Sequence, residues 1–374
     1  MTESGSKVIG YWLSKKKCLK LNWTTDFADV CKKHGYSLVK LNLDKPLEDQ
    51  GPFSIIVHKL TEVIGKSIQG DKKAESMINR LEKYLEKHPE IAIVDPLDSV
   101  RRLMYRSTSY DVIYTSKLHE MDVITPTFVE LNSTDVDVNK EILKTAGVTY
   151  PFLCKQSVAL STSESHTMCI IFNERGLKDV NPPCVAQSFV NHNAVLFKLY
   201  VLGGRYQVVR RPSLKNFYPS EDEETIFFNS HDVSKPDSQS ELSVLDDREA
   251  GSQPVEADMR RMDAICSTLR SLLGMDLLGI DVVVENHSNR HVVIDINAYP
   301  GYDGYPDLFE NLFQCIMEAR DNHRSKQLQC AVDSGRKCHL LMGAKVTSAH
   351  PGANGAEHDH NRLPSANKAI ERQF

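Results

Sequence analysis

Two acidic side chains lie in neighbouring apolar segments of the sequence, at a spacing that could bind a metal ion. Residues 278–284 and 291–297 alternate between the two faces of extended chain, which predicts a β-hairpin with a polar turn. A turn centred midway between them puts Asp281 opposite Asp295, and the period of two puts Asn297 on the face of Asp295. Directly opposed Cβ atoms in such a pair lie about 5 Å apart. The pattern therefore predicts two carboxylates and an amide on one face.

The other face of this hairpin is predicted to be buried, because it carries four aliphatic residues: Ile280, Val282, Ile294 and Ile296. Facing carboxylates repel, so we expect a cation between them, and oxygen donors without histidine favour Mg²⁺ with phosphate oxygens completing its shell. By the same reasoning, Asp295→Ala should relieve repulsion and leave the fold intact. The alternative is a solvated sheet face on which the acids only improve solubility.

Three lysines lie where an anionic ligand could bind. Lys17 follows the first apolar segment and Lys59 follows a later one, and ligands of open α/β sheets bind beyond the carboxyl ends of the strands. Lys198 lies within the apolar run 195–201, where a cation must snorkel, form an ion pair or bind an anion. The alternatives are a solvated charge run for Lys17 and snorkelling for Lys198.

The elements that position these residues follow from the hydrophobic pattern. In the first third of the chain, short apolar runs alternate with helical patterns, which predicts a small parallel sheet. A helix after residue 97 has Asn139 as its candidate N-cap and Gly147 as its end. Strands dominate beyond residue 150, and Gly203-Gly204 predicts a tight hairpin between two of them.

These patterns divide the chain into four parts. We expect an N-terminal α/β domain at residues 1–96, a central subdomain at 97–190 and a C-terminal subdomain at 191–323, whose last helix spans about 306–323. Periodicity is lost beyond residue 324, so residues 324–374 are predicted to form a disordered tail.

Composition narrows the functional classes. The 374 residues suffice for two or three packed units, and nine cysteines without a C-x-x-C pair exclude the common zinc and thiol-exchange motifs. A net charge of −5 argues against general nucleic-acid binding, so an anionic ligand would need a local basic patch. No signal-peptide pattern and no 18-residue apolar run occur, which predicts a protein of the cytosol or nucleus without membrane contact, and of these we expect a cytoplasmic location. We also expect a monomer.

Several motifs resemble one enzyme family. Asp281, the segment 295–297 and Pro300-Gly301-Tyr302 resemble the metal-binding end of ATP-grasp enzymes. Five further motifs resemble the inositol-tetrakisphosphate 1-kinase family, also called inositol 1,3,4-trisphosphate 5/6-kinases: GYWL at 10–13, HKLT at 58–61, DP at 95–96, QSFVNH at 187–192 and RPSLK at 211–215. The resemblance covers about residues 7–313 and implies the α/β ATP-grasp fold, in which an N-terminal parallel-sheet domain precedes two α+β subdomains that clasp ATP.

The resemblance also implies an activity, that of a kinase that uses ATP and Mg²⁺. Such a kinase phosphorylates inositol 1,3,4-trisphosphate at the 5- or 6-hydroxyl and inositol 3,4,5,6-tetrakisphosphate at the 1-hydroxyl. The implied Mg²⁺ ligands are Asp281, Asp295 and Asn297. The implied ATP contacts are Arg106, Lys155, Gln187, Ser188, Phe189, Val190, Lys198, Ser213, Ser230 and Ser234. The implied inositol-phosphate contacts are Lys17, Lys59, His166, Lys198, Arg211, Asn297 and Gly301, and the catalytic group comprises Lys155, Lys198, His166 and Asp295.

One segment departs from the family pattern. Between Lys155 and His166 the family carries a histidine–glycine pair, whereas residues 156–165 contain no glycine and are one residue longer. This departure predicts reduced activity or an altered choice of substrate, and it motivates a non-catalytic inositol-phosphate sensor as an alternative. An ATP-grasp ligase that activates a carboxylate is the second alternative. The basic N-terminal loops argue against it, because a monocarboxylate needs fewer cations than several phosphates.

Overall fold

The computed structural model describes residues 6–158, 166–249, 251 and 256–343. Its strands are β1 Val8–Trp12, β2 Ser37–Lys40, β3 Ile55–His58, β4 Ala92–Val94, β5 Val123–Ile124, β6 Phe128–Leu131, β7 Phe152–Gln156, β8 Thr167–Ile171, β9 Cys184–Ser188, β10 Val195–Leu202, β11 Arg205–Pro212, β12 Ile226–Asn229, β13 Leu277–Val284 and β14 His291–Ala298. Its α-helices are α1 Lys15–Lys20, α2 Ala28–Lys33, α3 Thr61–Ile68, α4 Lys72–Lys87, α5 Leu97–Arg102, α6 Arg106–Tyr114, α7 Val136–Ala146, α8 Ser230–Ser234, α9 Met259–Leu273 and α10 Leu308–Gly343.

The first sheet has the strand order β2-β1-β3-β4, and its neighbouring strands are parallel. This confirms the parallel sheet predicted for the first third of the chain. The chain leaves β1 toward β2 on one side, while β3 lies on the other side, so the strand order reverses between β1 and β3. The segments that follow these two strands therefore meet at the position where open α/β sheets bind ligands. Lys17 and Lys59 lie on these segments.

Two further sheets follow. The second sheet has the order β11-β10-β13-β14-β5, and the third has the order β12-β8-β7-β9-β6. Both are antiparallel except for the parallel pair of β14 and β5. Gly203 adopts φ 58° between β10 and β11, which confirms the predicted hairpin turn. Strand β12 pairs in the third sheet although it follows residue 190, so the domain boundary at that residue stays a prediction.

The first and second sheets share their hydrophobic core. One buried cluster contains Ile56 of β3 together with Leu199 of β10 and Ile280 of β13, and a second cluster joins Ile9 of β1 to Leu277 of β13. The third sheet instead packs around separate clusters built from β7, β8 and β9. Burial of apolar surface thus ties the first two sheets together. Hydrogen bonds also connect the third sheet to α6 and β14, through Gln156 and Lys155 of β7 and Gln187 of β9.

Helix α7 begins at a different residue from the one predicted. Its N-cap is Asp135, whose Oδ1 accepts hydrogen bonds from the Asp137 and Val138 amides at 2.9 and 3.1 Å. Asn139, the predicted cap, lies within the helix, fully buried, and donates to the Ser133 carbonyl at 2.8 Å. Asp and Asn cap helices about equally well, so residue type alone could not distinguish position 135 from position 139. Gly147 ends the helix with φ 71°, as predicted.

Helix α10 extends through Gly343, so the predicted end of the last helix near residue 323 is wrong, whereas disorder of the tail from residue 324 stays a prediction. Good helix formers such as Lys, Gln, Leu and Ala continue in the sequence beyond residue 324. Residues 344–374 of the predicted tail lie outside the described residues, as do residues 159–165 of the atypical segment. None of the described helices combines the length and the apolar character that crossing a membrane requires.

Candidate active site

The predicted pair of carboxylates lies on β13 and β14. Asp281 is the cross-strand partner of Asp295, which confirms the register inferred from the sequence. Just beyond this pair the register shifts, because Val282 pairs with Val293 and Ile294 is left as the extra residue of a bulge. Ile294 packs with the cluster of Leu196, Val283 and Val292 rather than with Ile280, so its predicted place on the opposite face is wrong.

Each carboxylate has a cationic partner from another element. Lys198 Nζ on β10 lies 2.6 Å from Asp281 Oδ1, and Arg106 Nη1 on α6 lies 2.9 Å from Asp295 Oδ1. Asn297 donates its amide to Asp295 Oδ2 at 3.1 Å. Removal of Asp295 would relieve its repulsion of Asp281, but it would also leave the buried Arg106 guanidinium without its carboxylate partner, so we no longer expect Asp295→Ala to leave stability unchanged.

Burial and these cations separate the pKa values of the two carboxyl groups. Burial raises the pKa of Asp281, and its ion pair with Lys198 offsets this only in part. Burial also acts to raise the pKa of Asp295, but Arg106, Lys155 and Lys198 together outweigh it and hold that pKa below its ordinary value. Asp295 is thus the more strongly ionised member of the pair.

The Ile294 bulge also holds a lysine. Lys155 Nζ on β7 donates to the Ile294 carbonyl at 3.1 Å and to the Tyr110 hydroxyl at 3.3 Å, and burial lowers the pKa of Lys155 to about 8. The Tyr110 hydroxyl donates to Gln187 Oε1 at 2.6 Å and lies 2.9 Å from the Ile294 carbonyl oxygen. This hydroxyl links β7, β9 and β14. Tyr110 was not predicted as a site residue, although it lies four residues after Arg106 and so shares the same face of α6.

The other residues expected to contact ATP lie at the end of β9 and in the segment after it. Gln187 is buried, and Ser188 and Phe189 bond through their backbone amides to the Thr127 and Pro151 carbonyls, both at roughly 3 Å. The Val190 carbonyl lies 2.5 Å from His192 Nδ1. The segment 187–190, which was expected to contact ATP, is thus held in place by hydrogen bonds of its own backbone.

The expected serine contacts form two groups. Ser213 Oγ lies 2.7 Å from His192 Nε2, directly beside the segment after β9. Ser230 and Ser234 lie on the one-turn helix α8, where Ser230 Oγ is 3.5 Å from His166 Nδ1. His166 also stacks on His231 with ring centroids 3.7 Å apart, and burial followed by the nearby His231 lowers the pKa of His166 to about 4. His166 is therefore a neutral imidazole near pH 7.

Lysines of the N-terminal sheet meet the chain just after β14. Lys17 and Lys59 both donate to the Tyr299 carbonyl, at 3.4 and 2.9 Å, and Lys17 also donates to the Pro300 carbonyl. Burial, with a contribution from neighbouring lysines, lowers the pKa of Lys17 and lowers the pKa of Lys59 to about 8. Two cations, one from α1 and one from the segment after β3, thus converge two residues beyond Asn297.

The remaining predicted acceptor contacts flank this position. Arg211 donates to the Asp303 carbonyl at 2.7 Å, and Lys20 forms an ion pair with the Asp303 carboxylate at 2.9 Å. A Cβ atom on Gly301 would come within 2.8 Å of Asp303 Oδ2 and 3.1 Å of Lys20 Nζ, so this glycine permits the close approach. Lys20 was not identified from the sequence, although it lies three residues after Lys17 on α1 and so shares its face.

The donor set is compatible with Mg²⁺. Asp281, Asp295 and Asn297 offer carboxylate and amide oxygens, which are the hard ligands that Mg²⁺ prefers. In the part of the chain that the structure describes, no cluster of three or more His, Cys, Asp or Glu side chains surrounds a potential metal position. A metal at Asp281 and Asp295 would accordingly need further oxygens from water or phosphate, as is usual for Mg²⁺ in phosphoryl-transfer sites.

Models of one protein family match most of the chain. The model of the inositol 1,3,4-trisphosphate 5/6-kinase ATP-grasp domain matches residues 117–318, and the model of the pre-ATP-grasp domain of the same family matches residues 8–100. These two ranges contain the described candidate residues on both sides of the site, from Lys17 to Gly301, except Arg106.

Proteins of similar sequence carry a consistent name. An inositol-tetrakisphosphate 1-kinase from Xenopus laevis is 46% identical over 314 residues, which cover 83% of this chain and 78% of that protein. One from Danio rerio is 42% identical over 357 residues, covering 93% of this chain and 87% of that protein. An inositol-tetrakisphosphate 1-kinase 1 from Oryza sativa subsp. indica is 32% identical and covers 82% of each chain.

Solved structures of distant sequence have the same fold. The D-alanine–D-alanine ligase of Bacillus anthracis complexed with ATP aligns with a TM-score of 0.52 at 14% identity, covering 87% of this chain and 100% of the ligase. A D-cycloserine synthetase aligns with a TM-score of 0.55 at 12% identity, covering 84% and 99%. These similarities concern the fold alone and confirm the predicted ATP-grasp architecture. The matching family models, together with relatives 46% and 42% identical over most of the chain, establish that the chain belongs to the inositol 1,3,4-trisphosphate 5/6-kinase family.

Proposed function

We propose that this chain is a Mg²⁺-dependent kinase that transfers the γ-phosphoryl group of ATP to an inositol polyphosphate. The proposed reactions phosphorylate inositol 1,3,4-trisphosphate at the 5- or 6-hydroxyl and inositol 3,4,5,6-tetrakisphosphate at the 1-hydroxyl. The membership of the family supports the reaction class, and the relatives named inositol-tetrakisphosphate 1-kinase support the choice of acceptor. The cytoplasmic location and the monomeric state inferred from the sequence stay predictions.

The observation that carries the proposal is the group of cations beside the paired carboxylates. Lys17, Lys20, Lys59 and Lys198 lie close enough that lysine neighbours help to lower the pKa values of Lys17 and Lys59. Like charges held together in this way lower the stability of the free protein, and a ligand with several phosphates would neutralise them. A carboxylate substrate would neutralise fewer of them, which favours the kinase over the ligase.

Each side chain has a role in the proposed transfer. Mg²⁺ held by Asp281, Asp295 and Asn297 would neutralise charge on the ATP phosphates. Lys155 and Arg106 bind ATP phosphate oxygens, while Lys198 lies between the nucleotide and the acceptor and stabilises charge on the transferred group. Phosphoryl transfer passes through a loose transition state, so positioning and charge neutralisation supply most of the catalysis.

The acceptor is held from the opposite side. Lys17, Lys59 and Arg211 bind its phosphates, and Gly301 allows them to approach the backbone. His166 is neutral near pH 7, so it contacts the acceptor as a hydrogen-bond partner rather than as a cation.

A turnover experiment tests the proposal. The full chain is incubated with ATP and MgCl₂ and with each of the two inositol phosphates, and the products are mapped by NMR. We expect a new phosphate at the stated hydroxyls and loss of turnover when EDTA removes the metal. Nucleotide binding without any inositol product would contradict the kinase and favour the sensor, whereas product formed only from a pair of amino acids would establish the ligase.

Two lysine variants separate the acceptor site from general charge effects. Lys59→Gln removes a proposed phosphate contact, so KM for the inositol phosphate should rise about tenfold while KM for ATP stays within about twofold. Lys66→Gln is the matched control, because Lys66 lies seven residues further on α3 and pairs only with Glu62 at 2.7 Å among the contacts described. An equal effect of the two substitutions would contradict the assignment of Lys59.

A further inference from the structure

The segment between β9 and β10 joins the third sheet to the second. It consists of residues 189–194, so it overlaps the residues 187–190 that are proposed to contact the nucleotide. Asn193 and Ala194 have φ angles of 50° and 57°, so two consecutive residues that are not glycine adopt the left-handed conformation. This conformation costs free energy for each of them and persists only where surrounding contacts hold it.

Asn216 supplies such contacts. Its side-chain Oδ1 accepts hydrogen bonds from the backbone amides of His192 and Asn193, both at 3.0 Å. Its amide nitrogen donates to Asn193 Oδ1 at 2.8 Å and to Glu249 Oε1 at 3.2 Å. Asn216 is only 3% exposed, so little competition from water weakens these bonds.

The chemistry of this position requires an amide. The side-chain oxygen accepts from two backbone amides of the connecting segment. The side-chain nitrogen donates to the amide oxygen of Asn193 and to the carboxylate of Glu249. An aspartate at this position would keep the acceptor but would place its charge against Glu249. An alanine would leave both backbone amides without the partner that the structure gives them.

Neighbouring residues brace the same segment. The Ser213 amide donates to the Ala194 carbonyl at 2.9 Å, and the Phe217 amide donates to Asn191 Oδ1 at 2.9 Å. Residues 213–217 thus lie along the connecting segment. Among them, Asn216 is the residue whose side chain forms two hydrogen bonds with the backbone of that segment.

We propose that Asn216 is a positioning residue for the nucleotide: it holds the segment between the two sheets in the conformation that binds ATP. The inference rests on the proposed function only in placing the nucleotide against residues 187–190. Without Asn216 the segment samples other conformations, and the apparent affinity for nucleotide falls in proportion to the population that remains competent.

Nucleotide affinity and steady-state kinetics of Asn216→Ala test this role. We expect the Kd for ADP with Mg²⁺, measured by calorimetry, to rise about tenfold, with a similar rise in KM for ATP. KM for the inositol phosphate and kcat at saturation should stay within about threefold of the wild type, because the acceptor side and the carboxylate pair are unchanged. An ADP affinity within about twofold of the wild-type value would overturn the proposal.

Asn173→Ala is the matched control. Asn173 is also a buried asparagine, 4% exposed, and its amide donates to the Ser220, Glu221 and Glu223 carbonyls in a loop that lies away from residues 187–194 in sequence. We expect this variant to lower the thermal midpoint as much as Asn216→Ala does while leaving ADP affinity within about twofold. Equal losses of ADP affinity in both variants would show that Asn216 acts only through general stability.

A second variant decides the question if Asn216→Ala does not fold. Asn216→Asp keeps the side-chain volume and the two acceptor bonds but removes both donors, so ADP affinity should fall. Adding Glu249→Gln removes the like charge that Asn216→Asp places against Glu249 and should recover part of the affinity, which a loss of packing would not do. Lack of recovery would overturn the role given to Asn216. Since ADP binding needs no acceptor, a wild-type protein that binds ADP but phosphorylates no inositol phosphate would refute the proposed function alone.

Discussion

At the scale of single residues, the ion pair of Arg106 and Asp295 links stability to the site. The Arg106 side chain is 7% exposed and that of Asp295 27%, and besides Asp295 Oδ1 the Arg106 side chain reaches the Gln156 carbonyl through Nε at 3.0 Å. Removing one partner of a fully buried pair costs about 3–5 kcal/mol, because the other charge is left without compensation, and the partial exposure of Asp295 places this pair at the lower end of that range. Asp295 therefore contributes to folding before any metal or nucleotide binds.

Asp295→Asn should accordingly lose both turnover and stability. We expect kcat to fall by more than about 100-fold and the free energy of unfolding, measured with urea, to fall by about 3 kcal/mol. In the double variant with Arg106→Gln, no buried charge is left unpaired and part of the stability should return. Unchanged stability in Asp295→Asn would contradict the role of the ion pair.

Tyr110→Phe removes one hydroxyl from the site. Lys155 then loses an acceptor and Gln187 loses its donor, so we expect KM for ATP to rise about fivefold and stability to fall by about 1–3 kcal/mol. Steady-state kinetics with ATP as the varied substrate measure the first effect, and urea unfolding measures the second. Tyr105→Phe is the control, because Tyr105 is 39% exposed and precedes the same helix. A loss of the same size in both variants would rule out a specific role for the Tyr110 hydroxyl.

At the scale of elements, the sequence predicted the β13–β14 hairpin well, because strand period and burial both constrain its register. It placed Asp281 opposite Asp295, but it did not predict the bulge at Ile294. The carbonyl of Ile294 bonds to Lys155 and lies near the Tyr110 hydroxyl, and those residues come from distant parts of the chain. A local pattern carries no information about such partners, which is also why the ion pairs of both carboxylates were missed.

Helix α7 allows a test of the revised cap. Asp135→Ala removes two hydrogen bonds to backbone amides in the first turn and should lower the free energy of unfolding by about 1 kcal/mol without changing kcat. Denaturant unfolding of the variant measures the loss. Asp137→Ala is the matched control, since Asp137 is an exposed acid of the same turn, and its effect should stay below about 0.5 kcal/mol. Equal losses would argue against Asp135 as the cap.

At the scale of the whole molecule, Asp95 ties the first sheet to the second. It follows β4, and its two carboxylate oxygens accept from the Asp276 and Leu277 amides at 2.6 and 3.1 Å, where β13 begins. Its carbonyl in turn lies 2.7 Å from His58 Nε2. The sequence contains the Asp-Pro motif, but the contact joins residues about 180 positions apart, so it could be recognised only in the folded chain.

This contact makes stability depend on pH in a defined direction. Burial raises the pKa of Asp95 to about 7, so between its ordinary pKa and that value the folded chain keeps a proton that the unfolded chain has released. The contribution of Asp95 to stability therefore decreases as pH rises through this range. Asn at this position has no such proton, so the stability difference between wild type and Asp95→Asn should narrow as pH rises from about 5 to about 8.

Urea unfolding of both proteins at several pH values measures this difference. Asp98→Asn serves as the control for loss of a carboxylate, because Asp98 is an exposed residue of α5 and its substitution should change stability by less than about 0.5 kcal/mol. A stability difference for Asp95→Asn that does not vary across the pH range would contradict the raised pKa of Asp95.

The shared carbonyl of Tyr299 has a consequence for which molecules the acceptor side admits. Lys17 and Lys59 already have a backbone oxygen as partner, so an entering molecule exchanges one acceptor for another and gains only the difference between them. A neutral hydroxyl is no better an acceptor than a peptide carbonyl, whereas an ionised phosphate is much better. We therefore expect free inositol and other uncharged sugars to bind poorly at this position, and ligands that carry phosphates to be preferred because of their charge.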